Sequence, residues 1–165
     1  MQDSLFRLDG QVALVTGCRR GIGLAMADAL AEAGADIVGI SASLNPDSSE
    51  VGDAVRKRGR RFFGFRCELS DRDAVDRVLE EVLNRHPVID VLVNNAGIVQ
   101  RSPAEEHSDA LWDLVLEVNL SAVFRVSRRI GTTMLERGRG SIISTASILS
   151  CLLYTSDAAD DGLSV

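Results

Sequence analysis

Three glycines, Gly17, Gly21 and Gly23, stand in a G-x-x-x-G-x-G spacing between a short β-rich run and the first helical run. The strand is Gln11 to Thr16 (QVALVT), and the helix is Gly21 to Ala33, with apolar Ile22, Met26, Ala29, Leu30 and Ala33. Gly17 permits a tight turn, Gly21 leaves the backbone bare for a close approach, and Gly23 lets helix and strand pack together. The start of the helix then offers free N–H groups and the positive end of its dipole to a pyrophosphate. No GK[ST] follows, so the turn is not a P-loop. By itself it also fits a plain strand–helix connection; its place after the first strand and before the first helix argues for phosphate.

The rest of the chain repeats the alternation. Strands are expected at Asp36 to Ile40, Arg61 to Arg66, Ile89 to Val93 and, beginning a fifth, Ser141 to Ser144. Helices are expected at Ser48 to Arg58, at Asp71 to Arg85 with Ser70 as its N-cap, and as one long stretch from Asp109 to Glu136. Gly34 should stop the first helix. Strands alternating with helices of this length imply an α/β fold with a doubly wound parallel sheet joined by right-handed crossovers. There is no internal repeat and no linker.

Composition narrows the function classes. With 165 residues, 45% hydrophobic and 25% charged, the chain suits one globular domain. A net charge of −6 argues against nucleic acid or an anionic membrane surface as partner. Met1 to Gly10 does not resemble a signal peptide, and no apolar run is long enough for a membrane span. The three cysteines, Cys18, Cys67 and Cys151, have no CxxC spacing and read as reduced, buried thiols of a cytoplasmic protein. No metal site is expected. Trp112 reads as packing, and Arg125, Arg128 and Arg129 as a solvated helix face.

Four motifs in order make the reading specific. Thr16-Gly17-Cys18-Arg19-Arg20-Gly21-Ile22-Gly23 follows the first strand, and Asn94-Asn95-Ala96-Gly97 follows the fourth. Val118-Asn119-Leu120 falls mid-helix, and Ser147 follows the fifth strand. This set resembles the short-chain dehydrogenase/reductase family over roughly residues 5 to 150. Within it the chain looks most like 3-oxoacyl-carrier-protein reductases and the sugar-acid dehydrogenases of the 2-deoxy-D-gluconate 3-dehydrogenase and gluconate 5-dehydrogenase types. The resemblance implies a Rossmann-like sheet of about five strands in the order 3-2-1-4-5. It implies an oxidoreductase that interconverts a carbonyl and a secondary alcohol by hydride transfer with NAD(P), on a small sugar-acid or 3-oxoacyl substrate. Gly17, Arg20, Gly21, Ile22 and Gly23 would hold the pyrophosphate, and Asn95, Ala96 and Gly97 would pass under the adenosine ribose. Asn94 would tie the central strands together. Glu68 and Leu69 stand where an Asp-Val pair meets the adenine; Glu is a departure. Asn119 would hold a proton-relaying water, and Ser147 would polarise the substrate carbonyl. Relatives of this kind are homodimers or homotetramers, often joined through the long helix.

Cofactor choice is partly legible. An acid at the end of the second strand would grip the ribose 2′-hydroxyl of NAD. Ser41, Ala42 and Ser43 stand there instead, and Asp36 is at the wrong end of the strand. Arg19 and Arg20 suit a 2′-phosphate, a slight lean to NADP.

The family's Tyr-x-x-x-Lys pair is missing. Counted from Ser147, the tyrosine belongs near position 160, where Ala159, Asp160 and Asp161 stand. The only tyrosine, Tyr154, is followed four places on by Ala158, and the only lysine is Lys57. The stretch 151–161, from Cys151 to Asp160 above all, resembles a translated sequencing adapter. The expectation is therefore a dinucleotide-binding domain over 1–150, the front part of a single-domain enzyme, followed by a non-native tail over 151–165. Such a fragment would be inactive and would leave its fifth strand a bare edge with open apolar surface. The alternative is a natural nucleotide-binding protein of the same fold that lost the catalytic pair.

Overall fold

The computed structural model describes residues 6–147. The expected tail at 151–165, with Cys151 and Tyr154, lies outside the described residues. Five strands form one sheet: β1 (Val12–Thr16), β2 (Asp36–Ser41), β3 (Phe62–Arg66), β4 (Val91–Asn94) and β5 (Ser141–Ser144). All neighbours pair in parallel, in the order β3-β2-β1-β4-β5. The expected fold class and strand order hold.

β1 is central because its residues can be buried on both sides. Ala13 and Val15 pack towards α1 (Gly21–Glu32) and α2 (Glu50–Lys57), and Leu14 packs towards α3 (Arg72–Arg85) and α5 (Ala122–Arg137). All three are fully buried, as a parallel strand covered on both faces requires. The buried stripe of α1 is Gly23, Ala27 and Ala31, while Ile22 is 65% exposed. Small residues on that stripe bring the helix close to the sheet.

Several boundaries shift by one or two residues from expectation, among them the starts of α2 at Glu50 and β4 at Val91, and the cap of α3 moves with them. Asp71, not Ser70, caps α3: its carboxylate accepts the Ala74 amide hydrogen at 2.9 Å. A carboxylate at the helix start also meets the positive end of the dipole, which a serine hydroxyl does less strongly. The long helix runs unbroken from Asp109 to Arg137, as expected, but its winding changes on the way. It comprises α4 (Asp109–Leu116), a π turn at Glu117–Ser121, and α5. The buried seam of α5 is Ala122, Val126, Ile130 and Met134. Trp112 is not packing within the described residues; it is 60% exposed on α4, a helix with no buried residue.

Polar ties fix the base of the sheet. The Arg61 guanidinium donates to Asp36 at 2.7 Å, and Arg137 donates to Asp90 at 3.0 Å. Asp90 in turn accepts the Val12 amide hydrogen. β5 forms the sheet edge among the described residues, with Ile142 and Ile143 45% and 48% exposed. Among those residues no helix is long and apolar enough to cross a membrane.

Candidate dinucleotide site

In a parallel sheet every strand delivers its carboxyl end to the same rim, and a cleft opens there where strand order reverses on either side of β1. A cleft of about 390 Å³ occupies this place. Every residue read above as cofactor-binding lines it: Gly17, Arg19, Arg20, Gly21, Ile22, Gly23, Ser41, Glu68, Leu69, Asn95, Ala96 and Gly97. Ala42, Ser43, Ile98 and Val118 join them. The loop after β2 was visible in sequence only as a missing acid, and Val118 only as a flank of Asn119.

Thr16 organises the floor. Its hydroxyl accepts the amide hydrogens of Asn95 and Ala96 at 3.0 and 3.1 Å, and it can donate to the Val93 carbonyl at 3.4 Å. The Asn95 side-chain amide returns the tie, donating to the carbonyls of Thr16 and Gly17. The two motif turns are thus bound to each other. Gly17 has φ +68°, and a Cβ there would stand 2.7 Å from the Ala96 Cα. Gly21 has φ +58° and nothing within 4 Å of its Cβ position, so its bare side opens to space.

The start of α1 is the site's electropositive feature. α2, α3 and α4 each carry a side-chain cap, from Ser49, Asp71 and Ser108. α1 has none, and no acid in its first turn. Arg19 and Arg20 carry no carboxylate partner among the described residues, although most other arginines do. Glu68 is the sole acid on the lining. Uncapped N–H groups, two unpaired guanidinium groups and open space over Gly21 fit a dinucleotide pyrophosphate. Among the described residues no cluster of three or more His, Cys, Asp or Glu is suited to a metal.

Ser41 holds the rim: its hydroxyl accepts the Arg19 amide hydrogen at 3.2 Å. Cys18 lies beneath, its sulfur 3.7 Å from the Ser41 hydroxyl, and burial raises its pKa. Burial, with help from the charges of Asp71 and Glu68, pushes the Cys67 thiol up to about 11. Both buried cysteines are therefore thiols, not thiolates, at neutral pH.

Asn119 stands in the π turn and does not line the cleft. Its side-chain amide is used twice on one residue: the oxygen accepts the Ile98 amide hydrogen at 2.9 Å, and the nitrogen donates to the Ile98 carbonyl at 2.8 Å. It holds the loop that follows Gly97. Ser147 lies exposed beyond β5, at the same end of the sheet but off the lining. Asn94 donates from its buried side chain to the hydroxyls of Ser127 at 2.9 Å and Ser144 at 3.4 Å, joining β4, α5 and β5.

The sequence pattern of the short chain dehydrogenase family matches residues 11–157. The chain belongs to that family. Among short chain dehydrogenases, the 2-dehydro-3-deoxy-D-gluconate 5-dehydrogenase of Pseudoalteromonas atlantica is 54% identical over 145 residues, which is 88% of this chain and 57% of that protein. The 3-oxoacyl-[acyl-carrier-protein] reductase of Escherichia coli is 34% identical over 87% of this chain and 57% of its own length. A crystal structure from Beutenbergia cavernae, described as an NAD(P)-dependent gluconate 5-dehydrogenase with bound NADP, superposes with a TM-score of 0.80 at 41% identity. It covers 88% of this chain and 57% of the other. The chain thus spans little more than half the length of the relatives it matches.

Proposed function

We propose that this chain is the dinucleotide-binding portion of an NAD(P)-dependent oxidoreductase that interconverts a carbonyl and a secondary alcohol. The observation that carries this reading is the convergence of both glycine-containing motif turns on one cleft, at the only one of helices α1 to α4 that lacks a side-chain cap. Arg19, Arg20 and the first-turn amides of α1 hold the phosphates. Asn95, Ala96 and Gly97 pass under the adenosine ribose, and Glu68 and Leu69 face the adenine. Ser41 in place of an acid leaves room for a 2′-phosphate, which favours NADP(H). The cofactor, when bound, supplies or takes the hydride.

Around that exchange the chain's own residues position and polarise. Ser147 donates its hydroxyl hydrogen to the substrate oxygen. Asn119, its side chain spent on Ile98, keeps the loop beside the cleft in place and leaves its main chain to hold a relay water. The substrate class is a sugar acid or a 3-oxoacyl compound, on the strength of the relatives named above. The full-length protein is a cytoplasmic homodimer or homotetramer, with residues 1–150 as part of one domain. The 165-residue chain binds its cofactor without turnover, because Lys57 lies on α2 and no lysine follows Tyr154 at the required spacing.

Titration of the purified chain with NADPH and NADH, followed by fluorescence and thermal shift, tests this. Saturable binding with NADPH preferred supports the reading. No binding by a chain that melts cooperatively overturns it, and turnover above background overturns the claim of inactivity.

A further inference from the structure

Arg66 ends β3 as the register partner of Ser41, the last residue of β2. Four residues earlier the same register pairs Phe62 with Ile37, and both lie in the core beneath α1 and α2. Strand side chains alternate, so Arg66 and Ser41 project from that same face. It is the face on which the Ser41 hydroxyl receives the Arg19 amide hydrogen at the edge of the cleft. The Nε of Arg66 donates to the Ala42 carbonyl at 3.1 Å, and Ala42 lines the cleft. That bond anchors the guanidinium beside the loop after β2. Its two terminal amino groups have no carboxylate or carbonyl partner among the described residues.

Arg58, Arg61, Arg72 and Arg137, by contrast, are tied to carboxylates. A guanidinium fixed through Nε keeps its two terminal groups as a planar fork, the geometry that grips a phosphate through paired hydrogen bonds. The adjoining loop residues Ser41, Ala42 and Ser43 carry no negative charge to repel one. We propose that Arg66 is a specificity-determining residue, which binds the 2′-phosphate of NADP(H) from the β3 side while Arg19 approaches from the glycine turn. The proposal rests on the dinucleotide reading of the cleft. A purely structural Arg66 would only brace the loop through Ala42, and would then serve phosphorylated and unphosphorylated nucleotides alike.

The test measures binding of 2′,5′-ADP and 5′-AMP to the 165-residue chain and to its R66Q and R66K variants, by calorimetry and thermal shift. The wild type should prefer 2′,5′-ADP. R66Q should weaken 2′,5′-ADP about tenfold, the scale of a lost charge-assisted contact, and leave 5′-AMP unchanged. R66K, which keeps the charge without the fork, should retain part of the preference. A wild-type preference that R66Q leaves intact overturns the role of Arg66 and spares the NADP reading. Equal losses for both nucleotides in both variants, or variants that no longer melt cooperatively, show a structural brace and overturn it as well. A wild type without preference overturns the NADP reading together with Arg66, and one that binds neither nucleotide overturns the dinucleotide site itself.

Discussion

Gly23 lies so close to the carbonyl oxygen of Gly17 that a Cβ has no place between them. The same Cβ would stand 2.5 Å from the Asn95 side-chain nitrogen, so one added methyl group would strike both motif turns. Gly23→Ala should therefore destabilise the chain by about 3 kcal/mol, the upper range for overpacking a site that cannot yield. Gly21→Ala meets no neighbour and bears only the conformational cost of its positive φ, about 1 kcal/mol. Thermal melts with and without NADPH separate the two. G23A should lower the melting temperature of the free protein strongly, whereas G21A should lower it little and lose most of the shift that NADPH produces.

Asn94 joins three elements with one buried amide, so its loss should loosen β5 more than the rest of the sheet. Asn94→Ala leaves the Ser127 and Ser144 hydroxyls without their donor and should cost about 2 kcal/mol. Amide hydrogen exchange is the measurement. Ile142 and Ile143 should exchange faster in the variant, while Leu14 on β1 changes only by the global loss of stability.

His86 should make the protein less stable in mild acid. Its ring lies 4.1 Å from that of Phe63, and its Nε2 is buried without a partner. Burial, then the charges of Arg61 and Arg85, lower its pKa, against a smaller opposing pull from Asp36. A lowered histidine pKa means that the unfolded chain takes up the proton first as pH falls. The stability is fully present above about pH 6.5 and declines as pH drops through the folded value. His86→Phe should flatten the fall in melting temperature between pH 7 and pH 5. A second decline, below about pH 4, should persist in that variant. Burial raises the pKa of Asp36, but the hydrogen bonds and charges of Arg61 and Arg60 outweigh it and hold the carboxylate low. Asp36→Asn should remove part of that second decline.

Asn119→Ala should free the loop after Gly97 without unfolding the sheet. Two exposed hydrogen bonds to Ile98 disappear, for a cost of about 1 kcal/mol. The Ile98 amide should exchange faster, and NADPH binding should weaken because Ile98 lines the cleft. Unchanged exchange at Ile98 would contradict the anchoring role of Asn119.

Much of this site was legible because it is written in short local patterns. The glycine spacing, Asn94 to Gly97 and Ser41 each mark a backbone conformation or a strand end, and strand alternation then carries them to one rim. What the sequence hid depends on contacts between distant segments. Thr16 reads as the last residue of a strand, and only the fold shows its hydroxyl receiving two amides from a turn about eighty residues away. Arg66 reads as one arginine among many until the β2–β3 register sets it beside Ser41. The cap of α3 was misread by one residue because Ser70 and Asp71 are both good caps, and only backbone geometry chooses between them. The π turn had no signal at all, since Asp109 to Glu136 keeps helical composition throughout.

That π turn makes the length of its segment matter as much as its composition. Val118 on the cleft wall and the Asn119 anchor sit in the widened turn, whereas the seam Val126, Ile130 and Met134 is set by regular helix beyond it. Deleting one residue between Glu117 and Ser121 would keep nearly every side chain yet rotate the two sets against each other by about 100°. The wall and the seam could then not both face inward. A lineage that kept this site would tolerate exchanges of residue type here far more readily than the gain or loss of a single codon.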